Sequence, residues 1–200
     1  MTNMPVIVLA AGSSSRMRGA DKLLETVEGE PLLRRLVRIG AAVGPVHAAL
    51  PPPPHPRHAA LDGLAVHKVA VPDAAEGMNA SLRRAIAALP ERTQAVMLVL
   101  GDLPDLTADD LKKVADAVDL NSENLIWRGM TESGKPGHPV VFRRQVFAQI
   151  LAMTGDGGAW PVVAANRERT VLVALPGDRA RTDLDTPEEW QAWRKAREHP

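Results

Sequence analysis

A glycine- and serine-rich segment near the N-terminus carries the residues best suited to binding an anion. The apolar run that begins at Val6 stops at Gly12, and it is followed by the serines Ser13–Ser15 and then by Arg16 and Lys22. A buried strand that leads into such a loop can present backbone N–H groups as an anion-binding nest, with basic side chains closing over the anion. The loop therefore predicts a phosphate site, and a flexible turn with two solvated cations is the alternative.

The spacing of this loop excludes the two commonest phosphate loops. The segment lacks the G-x-x-x-x-G-K-[ST] spacing, and no G-x-G-x-x-G follows the first predicted strand. These absences count against a P-loop ATPase and against a standard dinucleotide-binding enzyme.

A second segment, residues 95–104, reads A-V-M-L-V-L-G-D-L-P. Its apolar residues predict a buried strand that ends at Gly101 and places Asp102 just beyond it. Ligands of open α/β sheets bind outside the carboxyl ends of the strands, where an aspartate can hold Mg²⁺ against a triphosphate. The alternative is that Asp102 caps a turn before Pro104 and binds no metal.

Two further carboxylates, Asp183 and Asp185, lie near the C-terminus. Side chains two residues apart on an extended segment point to the same side, which suits one metal ion or one Mg–triphosphate complex. The alternative is a helix cap at Asp185 or Thr186, because a proline and two glutamates follow.

Three loops supply the remaining candidates. The glycine loop at Gly77 runs into a predicted helix, and helix N-termini and glycine loops can bring backbone groups close to a flat base. His138 lies between a glycine and a proline, where a core position is unfavourable, so it could hydrogen-bond a phosphate or an acceptor; a simple turn histidine is the alternative. The third loop, at residues 155–159, reads G-D-G-G-A.

The order of these segments resembles the MobA-like NTP transferases, and within them the molybdenum cofactor cytidylyltransferases. Residues 9–22 read as L-A-A-G-x-S-x-R-M-x-G-x-x-K, which is similar to the nucleotidyltransferase signature. Downstream follow G-x-x-x-S-L, G-D-x-P, G-H-P and D-x-D-T-P-E in the family order. The resemblance implies a Rossmann-like, three-layer α/β/α nucleotidyltransferase fold with a mostly parallel mixed sheet.

The resemblance also implies a set of site residues. Catalysis would depend on Arg16, Lys22 and Asp102, with Mg²⁺ held by Asp102 and Asp185. The acceptor would contact Gly137, His138 and Asp156. The nucleotide would be bound by Leu9, Ala10, Ala11, Gly12, Ser13, Ser14, Ser15, Arg16, Lys22, Gly77, Ser81 and Leu82.

One position departs from the family pattern. The family form of the loop at residues 155–160 is G-D-x-G-A-R, and Trp160 stands here in place of the arginine. An arginine could pair with a phosphate or a carboxylate, and an indole cannot. We expect Trp160 either to stack on a flat acceptor ring or to pack on the core.

The activity that the resemblance implies is transfer of CMP from CTP to a molybdopterin-type cofactor, with release of pyrophosphate. Gly77, Ser81 and Leu82 favour cytidine, because the guanylyl branch carries a G-P-L element there. The alternatives are a molybdenum cofactor guanylyltransferase and a nucleotidyltransferase acting on a sugar phosphate or another small phosphate. Non-catalytic alternatives are a cofactor carrier or maturation factor and an NTP-binding regulatory module.

Composition narrows the functional classes further. The chain has 200 residues, no cysteine, six aromatic residues and equal numbers of basic and acidic residues. Thiolate chemistry is therefore excluded, and overall charge gives no attraction to nucleic acid or an anionic membrane. We expect one cytoplasmic domain spanning residues 1–200, with a molybdoenzyme as a further partner suggested by the resemblance.

Apolar runs alternate with helical periodicity, which is typical of an α/β protein. The proline tract at residues 51–56 predicts a rigid surface connection, since consecutive prolines cannot continue a strand ladder. Helices are predicted at 31–43, 79–88, 108–118, 144–153 and 187–198. Strands are predicted at 5–10, 46–50, 65–69, 95–100, 124–128, 139–142 and 170–175.

Overall fold

The computed structural model describes residues 3–198 and contains strands and helices in alternation. The strands are β1 (Val6–Leu9), β2 (Thr26–Val27), β3 (Glu30–Pro31), β4 (Val46–Leu50), β5 (Val66–Ala70), β6 (Ala95–Leu100), β7 (Ile126–Met130), β8 (Pro136–Arg143) and β9 (Thr170–Ala174). The helices are α1 (Leu32–Gly40), α2 (Pro56–Ala60), α3 (Met78–Ala87), α4 (Ala108–Asp116), α5 (Phe147–Leu151), α6 (Trp160–Ala165) and α7 (Pro187–Glu198).

Seven of these strands form the central sheet, in the order β5-β4-β1-β6-β8-β7-β9. Every neighbouring pair is parallel except the two that involve β8, which runs antiparallel to β6 and to β7. The seven predicted strands are these seven, so the mostly parallel mixed sheet is confirmed. Strands β2 and β3 form a separate two-stranded hairpin that the sequence did not predict.

Alternation along β1 shows how the two faces of the sheet are covered. Val6 and Val8 belong to one buried cluster, and Ile7 and Leu9 belong to the other. Side chains alternate between the faces of a strand, so each cluster lies on one side of the sheet. The first cluster takes residues from α1, α4 and α7, and the second takes residues from α3, α5 and α6. The three-layer α/β/α architecture is confirmed.

Two helix starts are as the sequence predicts. Thr107 caps α4: its hydroxyl accepts from the Asp110 N–H, and the Asp110 carboxylate accepts from the Thr107 N–H. At the start of α7, the Glu189 carboxylate accepts from the Thr186 N–H, and the Thr186 hydroxyl accepts from the Glu189 N–H. Within residues 3–198, no helix has the length and apolarity needed to cross a lipid bilayer.

The proline tract differs from the prediction in one respect. It connects β4 to a short helix, α2, which has Pro56 in its first turn and His55 as its cap. Proline suits the first turn of a helix because the N–H it lacks has no intrahelical acceptor there. The helix α6 was also missed, since its six residues are too few to show a helical period.

An irregularity in the β7–β8 pairing positions His138. Arg128 pairs with Val140, whereas Met130 pairs with Pro136, so β8 has extra residues at this point. A bulge of this kind redirects side chains, and the proline at 139 has no N–H for a regular ladder. Gly129 permits the close approach, since a Cβ there would lie 2.4 Å from the His138 carbonyl oxygen.

Candidate active site

The loop after β1 has the backbone geometry of an anion-binding turn. Ser14 adopts a left-handed conformation with φ 51° and ψ 34°, and a 3-10 turn follows at Ser15–Met17. Among residues 3–198, no backbone or side-chain acceptor takes a hydrogen bond from the N–H groups of Gly12, Ser13 or Ser14. Unpartnered donors beside basic side chains can bind phosphate oxygens.

A buried arginine holds this loop in place. Arg57, on α2, is 2% exposed and uses all five of its N–H groups. It donates to the Ala10 and Gly12 carbonyl oxygens, both at 2.7 Å, and to the Ser14 hydroxyl at 3.0 Å. Its remaining bonds, at 2.7 and 2.8 Å, go to the two carboxylate oxygens of Asp21.

The same contacts set the charge of Asp21. Burial by itself would raise the pKa of Asp21, but the hydrogen bonds and the positive charge of Arg57 outweigh it and hold that pKa below its usual value. Asp21 also accepts from the Ser14 hydroxyl and from the Leu23 N–H. The Arg57–Asp21 ion pair therefore holds the loop both near Gly12 and at Asp21.

The centre of the site is a lysine shared by two carboxylates. The Lys22 ammonium lies 2.7 Å from Asp102 Oδ2 and 2.7 Å from Asp185 Oδ1. Arg16 reaches the other oxygen of Asp185 at 2.8 Å. Burial would lower the pKa of Lys22, but both carboxylates raise it above its usual value, so this lysine is charged. The four residues predicted for catalysis and metal binding are thus brought together from opposite ends of the chain.

The donor set at this point fits a magnesium ion. Asp102 Oδ1 is buried and has no hydrogen-bond partner. Burial, followed by the negative charges of Asp102 and Asp185, raises the pKa of Asp183. No cluster of three or more His, Cys, Asp or Glu with metal-binding geometry occurs in the described part of the chain. Mg²⁺ in a nucleotide site is typically bound by one or two carboxylates together with phosphate oxygens and water, and Asp102 and Asp185 fit that donor set.

The opposite wall of the site joins the start of α3 to the 154–158 loop. Asp156 Oδ1 accepts from the Met78 N–H at 2.7 Å, and the Asn79 amide donates to the Thr154 carbonyl oxygen at 2.8 Å. Gly77 has φ 108°, and a Cβ on it would lie 2.8 Å from the Gly155 carbonyl oxygen. Glycine is needed at position 77 for both reasons.

These walls enclose a cleft of about 520 Å³. Leu82, also predicted to bind nucleotide, is 1% exposed and packs in the core, so it can act only by holding α3. Besides Leu82, the predicted nucleotide- and metal-binding residues that do not line the cleft are Ser14, Ser15, Arg16 and Asp185. Of the predicted site residues, those that line it are Leu9, Ala10, Ala11, Gly12, Ser13, Lys22, Gly77, Ser81, Asp102 and Asp156.

His138 lies in a second, smaller cavity of about 200 Å³, on the far side of Met78 and Leu100. Burial lowers the pKa of His138 to about 4, so the imidazole is neutral at pH 7. Gly137 is buried and does not line this cavity, and a Cβ there would lie 2.1 Å from the Ala180 carbonyl oxygen. Arg128 and Trp160 also line the cavity. The alternative that Trp160 packs on the core is wrong, since its exposed fraction is 65%.

Sequence reasoning missed Arg57 and Arg128. Arg57 follows a proline tract and contacts residues 36 to 47 positions away, which no local pattern reveals. Arg128 sits in an apolar strand next to a buried tryptophan, and that single charge in a buried strand was the only signal.

A doubly wound α/β sheet, a turn with unpartnered N–H groups and a lysine–carboxylate centre at the carboxyl ends of β1 and β6 are the features expected of a nucleotidyltransferase. The chain belongs to the MobA-like NTP transferase family, whose profile matches residues 6–171. It is an enzyme of the nucleotidyltransferase type.

Relatives and solved structures agree with this assignment. A probable molybdenum cofactor guanylyltransferase from Nostoc sp. is 30% identical over 193 residues, covering 94% of this chain and 89% of the relative. The crystal structure of Rv0371c from Mycobacterium tuberculosis has a TM-score of 0.80 and 28% identity, and covers 97% of this chain and 99% of that one. A manganese complex of Rv0371c has a TM-score of 0.78 and 26% identity, with coverage of 96% and 97%.

Proposed function

We propose that this enzyme transfers a nucleoside monophosphate, CMP by preference, from an NTP to a molybdopterin-type acceptor and releases pyrophosphate. One observation carries the proposal: Gly12 and Ser13, whose N–H groups have no acceptor within residues 3–198, line one cleft with Lys22 and Asp102, and the glycine loop of α3 lies opposite. A triphosphate would span the cationic wall, and the base would lie toward α3. The name of the Nostoc relative supports the class of acceptor.

In the proposed reaction, an oxygen of the acceptor's phosphate attacks the α-phosphorus. A new P–O bond forms, the bond to the bridging oxygen of the β-phosphate breaks, and pyrophosphate departs with the electron pair. Both reactants are anions, so the protein's main tasks are alignment and neutralisation of charge. The 12–15 turn and Arg16 would hold the β- and γ-phosphates, and Lys22 would lie near the α-phosphate.

Asp102 and Asp185 would hold Mg²⁺, which when bound supplies positive charge to the phosphate oxygens. Lys22 pairs with both carboxylates here, and on nucleotide binding its ammonium would turn toward the phosphate. A phosphate-monoester acceptor is already ionised at neutral pH. The neutral His138 is therefore a hydrogen-bonding group in this scheme and no strong base is required.

The choice of base separates two candidates. Gly77 and Ser81 line the cleft where the base would lie, and their motif resembles the cytidylyl branch. The curated relatives named guanylyltransferase favour GTP instead. We propose CTP, because the sequence at this wall lacks the G-P-L element of the guanylyl branch.

Calorimetry with CTP, GTP, ATP and UTP in the presence of Mg²⁺ tests the base. The proposal expects CTP to bind most tightly, and tightest binding of GTP would make the enzyme a guanylyltransferase. Pyrophosphate release from CTP with molybdopterin, with glucosamine 1-phosphate and without acceptor then tests the reaction. Release with glucosamine 1-phosphate but not with molybdopterin would indicate a sugar-phosphate enzyme. Nucleotide binding without turnover on either acceptor would indicate a regulatory module.

A further inference from the structure

The second cavity contains a guanidinium that lacks an acidic partner. Arg128 is half-buried, and its one hydrogen bond within residues 3–198 is from Nε to the Gly137 carbonyl oxygen at 3.3 Å. No carboxylate of the described residues forms an ion pair with it. Burial, together with the positive charge of Arg181, lowers the pKa of Arg128 from its usual value. A half-buried cation without a counter-ion is stabilised by any anion that enters.

The same cavity has an aromatic wall that is open to solvent. Trp160 is 65% exposed, whereas Trp127 and Trp190 are each 1% exposed. It stands at the start of α6, after two glycines and an alanine whose small side chains leave the cavity accessible. A large indole at the mouth of a cavity exposes apolar surface to water, which costs free energy. A flat ring stacked on the indole would bury that surface.

The cavity adjoins the cleft. Met78 and Leu100 line both, so the second cavity and the cleft share part of their walls. His138 is the remaining polar group of this cavity, and in its neutral form it can accept or donate one hydrogen bond without adding charge.

We propose that Arg128 and Trp160 select the acceptor: Arg128 binds its phosphate monoester and Trp160 stacks on its planar heteroaromatic ring. The inference rests on the proposed function and narrows its acceptor to planar ring phosphates. It also explains how a chain with tryptophan at position 160 retains a cation for the acceptor, since β7 provides one on the wall of the same cavity.

Calorimetry with two probe compounds tests the assignment without any turnover. The unmodified protein is titrated with neopterin monophosphate, which has a planar ring, and with glucosamine 1-phosphate, which does not. We expect the pterin to bind more tightly. Arg128→Gln should weaken it roughly 10- to 100-fold, the scale of one charged hydrogen-bonding pair, and Arg128→Lys should weaken it less. Trp160→Ala should weaken it about tenfold, and Trp160→Phe should restore most of the loss.

The outcomes separate this inference from the proposed function. CTP binding is measured on every variant, and it should be unchanged because neither side chain lines the cleft. Arg167→Gln, at an exposed arginine, is the matched control. Equal binding of both probes, or pterin binding that survives Trp160→Ala and Arg128→Gln, overturns the inference and leaves nucleotidyl transfer intact. Failure of all four nucleoside triphosphates, CTP, GTP, ATP and UTP, to bind the unmodified protein overturns the proposed function itself.

Discussion

Asp102 and Asp185 differ in how fully their oxygens are used. Both oxygens of Asp185 face cations, one at Lys22 and one at Arg16, whereas Asp102 Oδ1 is buried without a partner. An unsatisfied buried carboxylate oxygen costs free energy in the ligand-free protein. That cost is removed when a cation binds, so Asp102 is the carboxylate whose loss should matter most.

Asp102→Asn therefore tests the site at a single atom. The amide keeps the shape and loses the charge, and turnover should fall at least about 100-fold, the usual effect of removing a central electrostatic group. Pyrophosphate release at saturating CTP measures it, with Asp116→Asn on the exposed face of α4 as the control. Turnover within about threefold of the parent would remove Asp102 from the mechanism.

The lowered pKa of His138 predicts how the stability of the protein depends on pH. Burial lowers its pKa to about 4 from 6.5, so below pH 6.5 the unfolded chain takes up a proton that the folded protein does not. Stability should fall as the pH drops from about 6.5 to about 4, by up to roughly 3 kcal/mol from this residue. His138→Gln should remove that part of the slope in urea unfolding at pH 7, 5.5 and 4. Parallel pH profiles for the two proteins would show that His138 titrates normally.

Lys22 and Asp102 could be predicted from the sequence, because each follows a recognisable strand and loop. Arg57 and Arg128 could not, because what matters for them is burial and distant partners rather than local spacing. Trp160 lies between these cases. Its departure from the family pattern was visible, and only the structure shows that it faces solvent and not the core.

Helix α2 places Arg57 against the loop that follows β1. The helix has five residues, too few to be stable alone, and its buried side chain is Arg57. The rigid proline tract fixes where the helix begins, and the five hydrogen bonds of the guanidinium fix the loop against β1. The tract is thus part of the site's scaffold as well as a surface connection.

Arg57→Met should remove the hydrogen bonds that hold the loop after β1 in place. It leaves the partly buried Asp21 without its counter-charge, which should cost up to about 3 kcal/mol, and it should weaken CTP binding. Adding Asp21→Asn should recover much of the stability, because the uncompensated charge is gone, but not the nucleotide affinity. Urea unfolding and calorimetry measure the two effects, with Arg167→Met as the control. Full CTP affinity in the stable double variant would show that the loop does not need this clamp.

The strands were predictable because each is a short apolar run bounded by turn residues. Their order and the reversed direction of β8 were not, since side-chain periodicity is the same in parallel and antiparallel strands. The bulge opposite Gly129 is likewise set by pairing, although the G-H-P motif marks its position. The short helices α2 and α6 lack the length that makes a period visible.

The C-terminal segment contacts the N-terminal loop, and the two together form part of the candidate site. Lys22 contacts Asp185, Arg18 pairs with Glu188 at 2.7 Å, and the Leu184 N–H donates to the Asp102 carbonyl oxygen. The cluster on this side of the sheet runs from Met4 to Trp190 without interruption. Site and fold therefore depend on the same long-range contacts.

This continuity predicts that the chain unfolds as one domain. Trp127 in β7 and Trp190 in α7 are buried in the same cluster, far apart in sequence, and each can report on its own region. Variants that keep only one of them, with phenylalanine at the other tryptophans, should give urea transitions that coincide with each other and with far-UV circular dichroism. Mg²⁺ and CTP at 100 times the dissociation constant should shift both transitions together, by about 2.7 kcal/mol. An earlier Trp190 transition would mean that α7 detaches first, and the 183–185 carboxylates would then form a separate unit.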